Sequence, residues 1–209
     1  MKFGLMLGAG ALAVAAVAVA AVPVQDAKAK TRGDEHGAMG GMDAAAMEAA
    51  MKKASTPVAE HAELKKMVGN WEINMKCWQD PSQPPEETTG TSKIEMIFGD
   101  RQLVEHFSGS MMGQPYEGMG IMGFNTSTGE YEHVWMDGMN TGKMWSHGKK
   151  AADGTLTMMG ESHCAMGPMT CRMVMKDISA DAHHFEMYCT MAGMPEMKMM
   201  EMDYKRAAR

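Results

Sequence analysis

The sequence predicts a mainly β chain: an antiparallel, up-and-down barrel of about ten strands preceded by a short helix. Two observations carry the class. Short stretches of alternating polar and apolar residues recur at even spacing, separated by Gly, Pro, Asn and Asp, and no strand–helix–strand unit interrupts them. That pattern suits a barrel or a sandwich. The middle of the chain then favours closure. Tyr116–Phe124 carries Gly118, Gly120 and Gly123 between two hairpin-linked strands, and glycines of this kind suit a sharply curved strand in a sheet that closes on itself.

At the N-terminus, a basic start and an apolar run over Phe3–Val22 precede Ala27-Lys28-Ala29. Residues 1–29 read as a secretory signal peptide cut near Ala29, with Ala21 as an alternative cut and an uncleaved anchor as the other possibility. No later stretch is long and apolar enough for a membrane helix, so no stable membrane insertion is expected after cleavage, and the chain is placed in the periplasm or outside the cell. Residues 30–55 form a flexible linker rich in Met, Ala and Gly, with a possible short helix over Asp43–Lys53. Residues 56–209 form one barrel domain. Within it, Thr56-Pro57 marks the start of a helix that ends at Gly69.

The strands follow in order. Trp71–Trp78 ends at a loop enforced by Pro81, Pro84 and Pro85, and Thr88–Phe98 turns at Gly99-Asp100. Arg101–Asp137 supplies three more strands. Lys143–Lys149 follows a turn at Gly138–Gly142; Thr155–His163 and Thr170–Ile178 are expected to fold around Gly167-Pro168; His183–Thr190 and Lys198–Lys205 make the last hairpin.

Several stretches, in order between Pro57 and Lys205, resemble the bacterial family known as domain of unknown function 1579. They are Met67–Glu72, Cys77–Pro81, Ser108–Gly118, Gly123–Asn125, Val134–Asp137 and Phe185–Tyr188. The resemblance implies a lipocalin-like barrel. The family has no assigned role, so the resemblance carries no functional residues with it. The chain departs from the family in its methionine load and in Cys164, Cys171 and Cys189.

Function is less legible. The formal charge of −6, with no basic stripe, argues against nucleic acid and anionic membrane surfaces as partners. There is no nucleophile elbow, phosphate loop, dinucleotide fingerprint or paired-histidine metal motif, so no catalytic residue is assigned and the sequence leaves any cofactor unknown. Tyr131, His133 and Trp135 share one strand face, and Trp145 and His147 share another; together they would line an aromatic lumen able to hold a small, flat apolar ligand, or simply fill it. This non-enzymatic binder is the leading reading.

Methionine supplies 29 of the 209 residues, while leucine is scarce. One reading is soft thioether ligation of Cu(I), with Met191, Met194, Met197 and His163 as candidates and His36 as an additional histidine. The plainer reading is flexible core filler, which alternation along the strands favours, and sacrificial oxidation is a third. A lumen-sited enzyme remains the other class. The four cysteines of an exported chain suggest two disulfides. Cys164–Cys171 across the predicted hairpin turn, with Cys77–Cys189 between strands that closure brings near, is the preferred pairing of the three that are possible.

Overall fold

The structure, a computed structural model, describes residues 43–164, 167–191 and 193–208. The predicted signal peptide and residues 30–42, with His36, lie outside the described residues. Helix α1 (Ala44–Ser55) is capped by Asp43, whose carboxylate accepts from the Ala46 N–H at 2.7 Å. It is exposed throughout and held at its C-terminal end by Arg101, which donates to the Ser55 carbonyl at 3.0 and 2.7 Å.

Thr56 closes this helix rather than opening the next: its hydroxyl donates to the Lys52 carbonyl. Helix α2 (Ala59–Leu64) starts instead at Val58, whose N–H donates to His61 Nδ1 at 3.0 Å, and continues into a 3₁₀ turn over Lys65–Met67. Its buried side chains are His61, Leu64 and Met67, which plug one end of the barrel.

Ten antiparallel strands then close on themselves: β1 (Gly69–Cys77), β2 (Glu86–Ile97), β3 (Gln102–Met111), β4 (Gln114–Asn125), β5 (Glu130–Asp137), β6 (Met144–Lys150), β7 (Leu156–Cys164), β8 (Gly167–Lys176), β9 (Ala182–Met191) and β10 (Met197–Arg206). Each pairs with its neighbours in sequence, and β1 pairs with β10 from Trp71↔Arg206 to Cys77↔Met200. The predicted barrel and its strand count therefore hold. Trp71 pins the junction. Its ring is buried, its Nε1 donates to the Met67 carbonyl at 2.7 Å, and the Arg206 guanidinium lies 4.4 Å from the ring centre. Arg206 also donates to the Val68 and Lys66 carbonyls, so one side chain ties the last strand to the plug.

The disulfide pairing differs from the expectation. Cys171 is bonded to Cys189, with Cα atoms 4.1 Å apart, while Cys77 and Cys164 are free thiols. Register explains both changes. Cys164 pairs with Gly167, so the hairpin folds two residues earlier than a turn at Gly167-Pro168 would place it, and Cys171 comes to face Gly160. Cys189 lies directly opposite Cys171 on β9, whereas β10 stands between β9 and Cys77.

Peptide mapping after alkylation without reductant should recover Cys171 joined to Cys189, with Cys77 and Cys164 alkylated; a Cys164–Cys171 peptide would contradict the register. Cys77 should label slowly at pH 8, since burial, helped by nearby Glu86, pushes its thiol up to about 11. Replacing Cys171 and Cys189 by alanine should cost about 3 kcal/mol in denaturant unfolding, the usual worth of a bridge over a loop of this size.

Candidate ligand site in the barrel lumen

Strand alternation divides the barrel interior into two unlike walls. On β7 to β10 and β1, inward positions are dominated by sulfur: Met158, Met173, Met187 and Met200 face one another in sequence across the strands, above the Cys171–Cys189 bridge. On β2 to β6 the inward positions carry rings, glycines and polar groups among fewer aliphatic and thioether side chains, such as Ile94, Leu103 and Met122. The glycines make room for the rings. A Cβ on Gly118 would collide with the Trp135 ring, and one on Gly120 would lie 2.8 Å from His133 Nε2. A polar stripe runs down this second wall from the unplugged end to the middle.

At the unplugged end, Trp135 Nε1 donates to the Tyr116 hydroxyl at 3.1 Å and to Asp137 Oδ2 at 3.2 Å, and Tyr116 donates to the same carboxylate at 3.3 Å. Deeper lies Glu105. Its Oε1 accepts from Ser92 Oγ at 2.6 Å and from the Tyr204 hydroxyl at 3.2 Å. Tyr204 stacks on His183, with ring centres 4.0 Å apart, and His183 meets the edge of Trp71. His133 sits over Gly120, the register partner of Glu105, and its Nδ1 is 3.4 Å from Ser146 Oγ.

Burial governs the charge of the groups that meet in the lumen. It raises the Glu105 carboxyl above the ordinary range, against the opposing effect of the hydrogen bonds from Ser92 and Tyr204. It lowers His133 to about 4, and it does the same to His183 with help from Arg206. Both histidines are neutral at pH 7. When Glu105 is protonated, two donors already occupy Oε1, so the proton belongs on Oε2. Glu105 Oε2 and His133 Nε2 make no hydrogen bond among the described residues. Both residues point inward and remain half-buried. The site therefore brings a carboxyl group, its proton held more tightly by burial, and a neutral imidazole to inward positions of the barrel.

The structure separates the residues proposed from sequence. Tyr131, His133 and Trp135 point inward, with Tyr131 buried at the plugged end against Phe124. Trp145 and His147 point outward. Trp145 pairs with outward-facing Val134 and is 65% exposed, and His147 bonds Glu130 at the surface at 3.0 Å. Ser146 takes the inward place between them. Among the metal candidates, His163 lies on the outer face of β7 and Met194 is exposed between β9 and β10, while Met191 and Met197 face inward opposite Met169 and Cys189. These four are not brought together.

Sequence reasoning missed Glu105 as a site residue, although its alternation with Leu103 and Phe107 put a carboxylate on an apolar face. It had no means of placing Ser92, Tyr204 and His183 beside it. On the outer face, His184, Glu186 and Glu201 converge, but the Lys198 ammonium already sits between the carboxylates at 2.9 and 2.6 Å. Burial pushes Glu186 up, and hydrogen bonds from Lys198 and His184 outweigh it and hold the carboxyl at about 2, as expected of a compensated ion network.

Comparison with known proteins agrees with this architecture. A family model described as "Protein of unknown function (DUF1579)" matches residues 56–206. No curated protein matches the chain. Among solved structures, Rv2717c from M. tuberculosis superposes with a TM-score of 0.55 at 12% identity, covering 73% of this chain and 100% of that one. The S-type phycobiliprotein lyase CPES from Guillardia theta gives 0.50 at 11% identity, covering 76% and 97%. At such identities the likeness is one of fold.

The ionisations predict opposite pH effects. His133 and His183 bind protons less readily folded than unfolded, so thermal stability should fall as pH drops from 6.5 toward 4, and His133→Gln should flatten that fall. Glu105 has the opposite sign: its contribution is complete below the ordinary carboxyl range and is lost as pH rises through its raised value. Glu105→Gln, which preserves an acceptor for Ser92 and Tyr204, should remove the alkaline loss. Glu105→Leu, which strands both hydroxyls, should cost about 1–3 kcal/mol at pH 7. Calorimetry from pH 4 to 9 checks both signs.

Proposed function

The chain belongs to the DUF1579 family, for which no activity is assigned, and from that premise we propose that it is a non-enzymatic binder of a small, flat, largely apolar ligand held in the barrel lumen. The observation that carries this reading is the polar cluster on inward strand positions, in which Glu105 Oε1 accepts from Ser92 and Tyr204 while His133 lies over Gly120, the register partner of Glu105. Binding pockets for small molecules combine an apolar lining with a few convergent polar groups. Glu105 would donate to a ligand carbonyl or hydroxyl, His133 would accept from or donate to a second polar group, and Trp135 would stack at the unplugged end. The likeness to a phycobiliprotein lyase supports the reading by analogy of fold alone.

Export belongs to the same proposal. The apolar run over Phe3–Val22 with Ala27-Lys28-Ala29 supports it, and so does a disulfide between Cys171 and Cys189, since such bonds persist in oxidising compartments. A second reading is favoured by one observation: burial moves Glu105 and His133 in opposite directions, the environment that assigns acid and base roles in proton-transfer enzymes. A co-purified ligand returned chemically altered after incubation would favour that class.

The test uses N-phenyl-1-naphthylamine, a neutral flat fluorophore, with native mass spectrometry of the full chain alongside. Saturable fluorescence enhancement at one equivalent is expected. Gly120→Val, which pushes a side chain into the His133 ring, should abolish it, and Glu105→Leu should weaken it about tenfold, the worth of one buried hydrogen bond. Binding that survives Gly120→Val and disappears in Trp145→Ala would move the site to the outer surface and overturn the reading.

A further inference from the structure

We infer that Met173, Met187 and Met200, on the sulfur wall of the barrel, form a binding site for a soft monovalent metal ion, Cu(I) in particular. The inference does not depend on the ligand reading above, because it rests on none of the polar and aromatic residues named there. It also differs from the set suggested by sequence, in which His163 and Met194 lie outside the barrel. Met173 stands directly opposite Met187, and Met187 directly opposite Met200, all on inward positions of three adjacent strands. Side chains opposed in this way have Cβ atoms about 5 Å apart, within reach of a long, flexible thioether. Three sulfurs can therefore meet at one centre without backbone movement. Thioethers are soft and uncharged, and they select Cu(I) over hard divalent ions.

The backbone itself raises the sulfur density at this point. The register of β10 against β9 shifts between Lys198 and Met200. In a regular strand, residues three apart face opposite sides of the sheet. The irregularity lets Met197 and Met200 both turn inward and both become buried, opposite Cys189 and Met187 respectively. Plain core filler does not call for a bulge that brings a second methionine to the same face. The sulfur row is also graded in access. Met173 is 1% exposed, Met200 9%, and Met187 half-buried, and Cys77 pairs with Met200 toward the unplugged end.

The test is an anaerobic titration of the full chain with Cu(I), supplied as its acetonitrile complex, in competition with bicinchoninate. No thiol reductant is present, so the Cys171–Cys189 bridge stays closed. One equivalent is expected to bind at least tenfold more tightly than to free methionine. The affinity should be unchanged from pH 5.5 to 8, because thioethers do not titrate, and unchanged in Cys77→Ser. Met187→Leu with Met200→Leu, a volume-conserving pair, should lose at least tenfold, whereas Met122→Leu on the opposite wall should lose nothing. A second readout needs no variant. With methionine methyls labelled with carbon-13, Ag(I) as an air-stable probe should shift three methyl resonances at one equivalent. Affinity no better than free methionine, retention in the double variant, or affinity that rises with pH and vanishes in Cys77→Ser would overturn the site.

Discussion

The pairing of the first strand with the last is the constraint on which the rest of the structure depends. Without the β1–β10 ladder the sheet has two open edges and an interior that water can enter, and nothing holds the two walls face to face. Trp71 and Arg206 sit at one end of that ladder, and both also reach the helical turn that plugs the barrel. Closure and plugging are thus one event. The Tyr204 hydroxyl reaches Glu105 from the last strand, so even the polar site in the lumen exists only once the chain has come full circle.

Within the closed barrel, chemistry is divided by wall. Methionines and a disulfide dominate β7 to β10 and β1; aromatic rings, glycines and the buried Glu105 and His133, with a few methionines, line β2 to β6. The division suits an unbranched, polarizable side chain. Methionine packs against ring edges with favourable sulfur–aromatic contact and adapts to irregular space, so the sulfur wall can conform to whatever the ring wall leaves open. The low dielectric that results is the reason Glu105 moves up and His133 moves down.

Much of the fold was legible because it rests on local signals. Period-two alternation located ten strands, with ends shifted by a few residues where pairing extends a strand past its turn residues, as at Gly167-Pro168 in β8. Errors arose where two local signals competed. Thr56-Pro57 resembles a helix start, yet Thr56 serves as the cap of the preceding helix, whose last turn Arg101 and Thr126 also hold. The cysteine pairing failed by a two-residue error in one turn, since that shift exchanges the partner of Cys171. The lumen residues were half legible. Alternation showed which residues of a strand share a face, but it could not say which face is inside, and so Trp145 and His147 were grouped with a wall they do not belong to.

The strands, their order, the turn chemistry and the methionine excess can be read from the chain alone, because each is written in neighbouring residues. Only the tertiary structure decided which residues meet. Ser92 and Glu105 come from one hairpin and His183 and Tyr204 from another at the far end of the chain, and Met173, Met187 and Met200 from three successive strands. Their encounter depends on ladder register, where a slip of one residue turns a whole strand inside out. Register is a property of the closed sheet as a whole, and no local stretch of the chain contains it.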